Sequence, residues 1–77
     1  MILVHTVQVD EMGITIAIVP MWINPAFIIN AMSTTNVHIG EIPMGKHPDA
    51  KCMLTVKECG QILTTETMDD VAKACNK

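Results

Sequence analysis

Residues 51–75, KCMLTVKECGQILTTETMDDVAKAC, decide the fold of this 77-residue chain. Branched and apolar residues predict two strands, at 51–57 and 61–65. The residues between them, 58–60, are typical of a tight hairpin turn in which Gly60 takes a left-handed conformation. This stretch therefore predicts an antiparallel pair of strands.

The hairpin is followed by the signature of a helix start. Thr67 and Asp70 have the spacing of a capping box, with Asp in place of the usual Glu. Acidic residues in the first turn also suit the positive end of a helix dipole. An apolar stripe follows at helical spacing, which predicts a short helix lying on the sheet; it consists of Met68, Val71, Ala72 and Cys75.

The amino-terminal part of the chain predicts a second hairpin. Residues 2–9 are rich in branched side chains, and 10–13 form a turn in which Gly13 supplies a positive φ. Alternation over 14–19 predicts the second strand, and Pro20 is expected to end its regular pairing. One face of this hairpin is strongly apolar, because it carries Ile14, Ile16 and Ile18.

The middle of the chain is less regular. Asn24 and the proline after it predict a turn or a single helical turn, and 26–33 predicts a third strand. A long loop with several Gly and Pro residues follows at 34–50. The chain is therefore expected to be one small α+β domain over residues 1–77, with an antiparallel sheet of about five strands and a short C-terminal helix.

Composition excludes a nucleic-acid-binding protein. The chain carries five lysines, no arginine and eight carboxylates, which give a net charge of -3. Nucleic-acid binding requires a basic face and usually arginine forks. With Trp22 and Phe27 as its only aromatic residues, the chain also lacks a platform on which bases could stack.

The cysteines and one long uncharged stretch indicate where in the cell the protein is expected. The odd number of cysteines, Cys52, Cys59 and Cys75, predicts free thiols in a reducing cytoplasm. Residues 12–40 contain no Asp, Glu, Lys or Arg. Pro20 and the Asn residues interrupt this stretch, and its alternation has the period of strands, so no membrane span is expected.

Neither a metal site nor a catalytic residue is expected. His38, His47, Cys52 and Cys59 lack the close pairing that preorganises zinc ligands. Cys75 lies in the apolar stripe of the helix, and Cys59 has no cationic neighbour that would activate a thiolate. The sequence therefore predicts a protein that is not an enzyme and needs no cofactor.

The uncharged stretch carries apolar residues on both alternations of its strands. A small two-layer domain has one inner face, so some of these side chains are left for contact with a partner or with another copy. We expect a homo-oligomer that binds another protein. The predicted interface residues lie around the Asn24 turn and are Met21, Trp22, Phe27 and Ile29.

An alternative from another functional class remains open. The loop at 34–50 carries polar side chains that could contact a small anionic ligand, such as a nucleotide signal, in a pocket between subunits. The absence of arginine forks weakens this prediction. The candidate ligand-binding residues are Asn36, His38, Lys46 and His47.

Three short motifs, Ile23-Asn-Pro-x-x-Ile28, Leu54-Thr-Val-Lys57-x-x-Gly60-x-Ile62 and Glu66-Thr-x-Asp-Asp-Val71, span about half of the chain. Their arrangement resembles small flagellar FlbD-type proteins and related phage-borne proteins. The resemblance implies a compact β-domain with a closing helix and a non-enzymatic regulatory or accessory role, such as an inhibitor encoded by a phage or another mobile element. It implies no catalytic residue.

Overall fold

The computed structural model describes residues 1–39 and 41–76. Five strands form one antiparallel sheet, one pair of very short strands forms a second sheet, and one helix closes the fold. This confirms the predicted α+β class. The strands are β1 (Ile2–Val9), β2 (Thr15–Ile23), β3 (Ile28–Ser33), β4 (His38–Ile39), β5 (Ile42–Pro43), β6 (Cys52–Val56) and β7 (Gly60–Thr64), and the helix is α1 (Met68–Cys75).

The strand order of the large sheet is β2-β1-β7-β6-β3. Both predicted hairpins are present, β1 with β2 and β6 with β7. The two hairpins meet at Thr6 of β1 and Thr64 of β7. As a result β2 and β3 are the two edge strands of the sheet.

One face of the large sheet packs against α1. Its core contains Val4 and Ile23 from the first hairpin, Leu54 from β6 and Val71 from the helix, all of them buried. The capping box forms as predicted: the Thr67 hydroxyl accepts from the N–H of Asp70 at 3.1 Å, and the Asp70 carboxylate accepts from the N–H of Thr67 at 3.2 Å.

The opposite face of the sheet is covered by the segment expected as a long loop. Residues 34–50 fold into a 3-10 turn (Thr34–Asn36) and the β4–β5 pair. Met44 and Val37 of this segment are buried against Val7 of β1. The chain thus has a core on each side of the sheet, although Gly40 lies outside the described residues.

Three local predictions are wrong in detail. Pro20 does not end the pairing of β2, since the register with β1 continues to Ile23. The third strand begins at Ile28 rather than at residue 26, after a 3-10 turn at Pro25–Phe27 that Asn24 caps. In α1, Met68 and Ala72 are exposed, and the helix face that packs on the sheet consists of Val71, Ala74 and Cys75.

The β6–β7 turn shows how the chain reverses direction. The N–H of Cys59 donates to the carbonyl of Val56 at 3.1 Å. Glu58 has a φ of 71°, and Gly60 has a φ of 77°, as predicted for the glycine. A positive φ at the third position of a four-residue turn is favourable for Gly or Asn, so Glu58 is a strained choice there.

Candidate functional site

His47 has a structural role that accounts for both of its ring nitrogens. The backbone N–H groups of Asp49 and Ala50 donate to Nδ1 at 3.1 and 3.0 Å. Because Nδ1 accepts, the ring proton lies on Nε2, which donates to the carbonyl of Gly13 at 2.8 Å. The ring therefore joins segment 34–50 to the β1–β2 turn, and Thr15 adds a second link by donating to the carboxylate of Asp49.

The four candidate ligand-binding residues do not share one site. His47 is committed to the backbone, whereas the exposed Lys46 borders a cleft of about 450 Å³ together with Thr35, Pro43 and Gly45. Neither Asn36 nor His38 lines that cleft, although both are exposed. The volume suits a small molecule, but Lys46 brings the only charge among the residues that line it.

The three thiols are free and differ in burial. Cys52 is fully buried, and burial raises the pKa of its thiol despite hydrogen bonds with Met32 and Thr64. Cys59 is exposed in the hairpin turn, and Cys75, the last residue of α1, is partly buried. In residues 1–39 and 41–76, no three His, Cys, Asp or Glu side chains gather in a way that could hold a metal ion.

Glu66 and His5 form a polar contact that the sequence analysis did not identify. The Glu66 carboxylate accepts from the backbone N–H of His5 and the Thr65 hydroxyl, and it lies 3.1 Å from the Nδ1 atom of His5. Burial alone would raise the pKa of Glu66, but these hydrogen bonds together with the charge of His5 lower it. This contact joins β1 to the segment before α1, and it has no local signal, because its partners are 61 residues apart.

An apolar surface remains uncovered on the first hairpin. We call the side chains of Ile14, Ile16 and Ile18 the isoleucine stripe; they are 63%, 66% and 47% exposed. Ile18 shares its sheet face with Val7, its register partner. Segment 34–50 covers Val7 but leaves the stripe open. The register shift opposite Gln8 and Val9 places Thr15 on the face of Ile18, so the prediction that the three isoleucines share one face is wrong. Their side chains are an exposed surface along the first hairpin, whereas Val4 and Ile23 form part of the core.

The four predicted interface residues differ in environment. Trp22 and Phe27 are 64% and 43% exposed, on either side of the Asn24 turn, and we refer to them as the aromatic pair. Ile29 is 69% exposed on β3, at the other edge of the sheet order. Met21 is partly buried and packs against the core under α1. Met21 thus contributes to stability, while the other three are available for contact.

The total accessible surface agrees with an incompletely covered molecule. The chain exposes 5027 Å². A monomer of its mass, 8.4 kDa, is expected to expose about 4,600 Å². The excess is on the order of 400 Å², which is comparable to one substantial apolar patch.

Two further findings bear on the kind of protein this is. Within the described parts of the chain, no helix has both the length and the apolar character needed to cross a membrane. Comparisons with protein-family models, curated proteins and solved structures found no match. The resemblance to flagellar FlbD-type proteins therefore stays a prediction.

Proposed function

We propose that this chain is a small, non-enzymatic, homo-oligomeric protein that acts by binding another protein and altering its activity. The observation that carries this proposal is the exposure of the aromatic pair, Trp22 and Phe27, which lie in a stretch of chain without charged residues. Aromatic side chains are the most frequent anchors of protein interfaces. The same proposal includes a reducing cytoplasm, where the three cysteines remain free thiols.

The polar side chains support binding rather than catalysis. His47 uses both ring nitrogens within the fold. Cys52 is buried with a raised pKa, which disfavours the nucleophilic thiolate. Among the described residues, every buried side-chain nitrogen or oxygen has a hydrogen-bond partner. These groups already have roles in stabilising the fold.

The proposal is tested with affinity-tagged chains in quantitative capture from cell extract, followed by binding measurements on purified components. The bait chains are wild type, Trp22→Ala and Met68→Ala. Met68 is a matched control, because it is also a large apolar side chain, 42% exposed, but it lies on α1. A true partner is retained by wild type and Met68→Ala and lost with Trp22→Ala.

Binding measurements with the purified partner then give the size of the loss in affinity. Loss of an aromatic anchor costs about 2 kcal/mol or more, so Trp22→Ala is expected to raise the Kd about 30-fold. Circular dichroism of the variant should match that of wild type, since Trp22 lies outside both cores. A partner that binds Trp22→Ala as tightly as wild type would refute the role of the aromatic pair.

A second candidate function is binding of a small anionic ligand at the cleft beside Lys46. The cleft volume of about 450 Å³ and the hydroxyl of Thr35 favour it. We expect a nucleotide that binds there to raise the melting temperature of wild type and to lose this effect with Lys46→Ala. A nucleotide screen without any shift in melting temperature would leave protein binding as the better proposal.

A further inference from the structure

The outer edge of β2 presents free backbone groups. The carbonyl of His5 in β1 accepts from the N–H of Thr65 at 3.0 Å, so the backbone of His5 faces β7. Backbone direction alternates along an antiparallel strand, so Thr6 faces β2, where its register partner is Val19. The backbone N–H and C=O of Val19 therefore point towards β1. Ile18 is the next residue along β2, so its backbone N–H and C=O point away from the sheet.

This edge is apolar on both faces. Ile18 lies on one face, and on the other face Val19 is 40% exposed and Ala17 is half-buried. No charged residue occurs between positions 12 and 40. Proteins normally protect an open edge with lysines, inward-pointing charges, β-bulges or proline. Here β2 has two such devices, Pro20 and the β-bulge opposite Gln8 and Val9, and the regular edge that stays open between them is Ala17–Val19.

We infer that Ala17–Val19 of β2 pairs antiparallel with the same segment of a second copy of this chain, across a two-fold axis at Ile18. The two sheets then become one continuous sheet of ten strands. Pairing stops at Pro20, which has no N–H to donate. This inference rests on the homo-oligomer in the proposed function, and it specifies the number of copies and the surface that joins them.

A second copy suits this edge better than a different partner does. An uncharged strand with aliphatic side chains on both faces is self-complementary, and a two-fold interface requires the same patch on both molecules. The segment from Met12 to Val19 exposes on the order of 500 Å² of apolar surface per chain. Strand pairing covers only part of this surface in each copy, so the interface is smaller than the ~1,000 Å² of a standard specific complex, and the expected dimer is a weak one. The aromatic pair stays outside the paired segment and available to another protein.

The first test measures mass by light scattering over a range of concentrations. Wild type is expected to have twice the mass of one 8.4 kDa chain. Ile18→Lys places two like charges beside the two-fold axis and should raise the dimer Kd about 100-fold or more. Ile29→Lys is the matched control, because Ile29 is an exposed isoleucine on the opposite edge strand; this variant should remain dimeric.

The second test needs no variant. Hydrogen exchange followed by NMR on wild type should show that protection of the Ile18 amide increases with concentration, because this N–H gains an acceptor only in the dimer.

Three results would overturn the inference. Wild type could have the mass of one chain at all concentrations, Ile18→Lys could have the mass of two chains, or the hydrogen-exchange protection of the Ile18 amide could be the same at all concentrations. Failure here is distinguishable from failure of the proposed function. A monomer that still captures its partner through Trp22 refutes the β2 pairing alone. A dimer that binds its partner equally well with and without Trp22→Ala refutes only the role of the aromatic pair in partner binding.

Discussion

Removal of the His47 ring tests how segment 34–50 is held on the sheet. His47→Ala deletes two hydrogen bonds from backbone N–H groups and one to the Gly13 carbonyl. Ala50 is only 1% exposed, and a buried N–H left without an acceptor costs about 1–3 kcal/mol. The other two bonds add about 1 kcal/mol. The expected loss of about 2–4 kcal/mol is a large share of the roughly 4–12 kcal/mol expected for a chain of this length.

The assay is urea unfolding at pH 8, followed by circular dichroism. His47→Ala is also expected to lower the Tm by about 10–30 °C. His47→Asn should lose only about 1 kcal/mol, because its Oδ1 can accept from the following N–H groups but cannot reach Gly13.

His38→Ala is the control for this experiment. His38 is exposed, and within the described residues its ring makes no hydrogen bond, so its removal should change stability by less than about 0.5 kcal/mol. Equal stabilities for His47→Ala and His38→Ala would refute the idea that the His47 ring fixes the segment.

Substitutions at four further positions test single features of the fold. Because the pKa of Glu66 is lowered from 4.5 in the folded chain, its stabilising effect is present above pH 4.5 and is lost as pH falls through the folded pKa; the stability gap between wild type and Glu66→Gln in urea should therefore narrow as the pH is lowered from 4.5. Thr67→Ala removes a capping hydroxyl and should cost about 1 kcal/mol in urea unfolding, whereas Thr67→Ser should cost much less. Glu58→Gly relieves a φ of 71° and should raise stability by up to about 1 kcal/mol. Gly60→Ala should lower stability by about 1–2 kcal/mol, the cost of backbone strain at a positive φ. A Cβ at this position would meet no atom within 4 Å, so a larger loss would show that backbone strain is not the only cause.

Sequence patterns also predicted part of the candidate surface. The absence of charge over residues 12–40 indicated that apolar side chains would remain uncovered, and Trp22, Phe27 and Ile29 are indeed exposed. Met21 differs because it alternates with Trp22 on β2 and so lies on the opposite face, against the core.

The sequence by itself determined the elements whose signals lie within a few residues of each other. The Thr67 capping box, the Asn24 cap, and the left-handed glycines Gly13 and Gly60 all occur where they were predicted. Each of these depends on interactions between near neighbours in the chain, so a short window of sequence contains the whole cause.

The tertiary structure alone decided which apolar face became core and which became surface. Residues on both alternations of β2 are apolar, so a period of two could not distinguish the isoleucine stripe from Ile23. The distinction arises because α1 covers one face, while segment 34–50 covers Val7 on the other and leaves Ile18 exposed. His47 was likewise predicted as a ligand contact, since its acceptor at Gly13 is 34 residues away. Such contacts exist only after the chain has folded, because folding, and not sequence proximity, brings these atoms together.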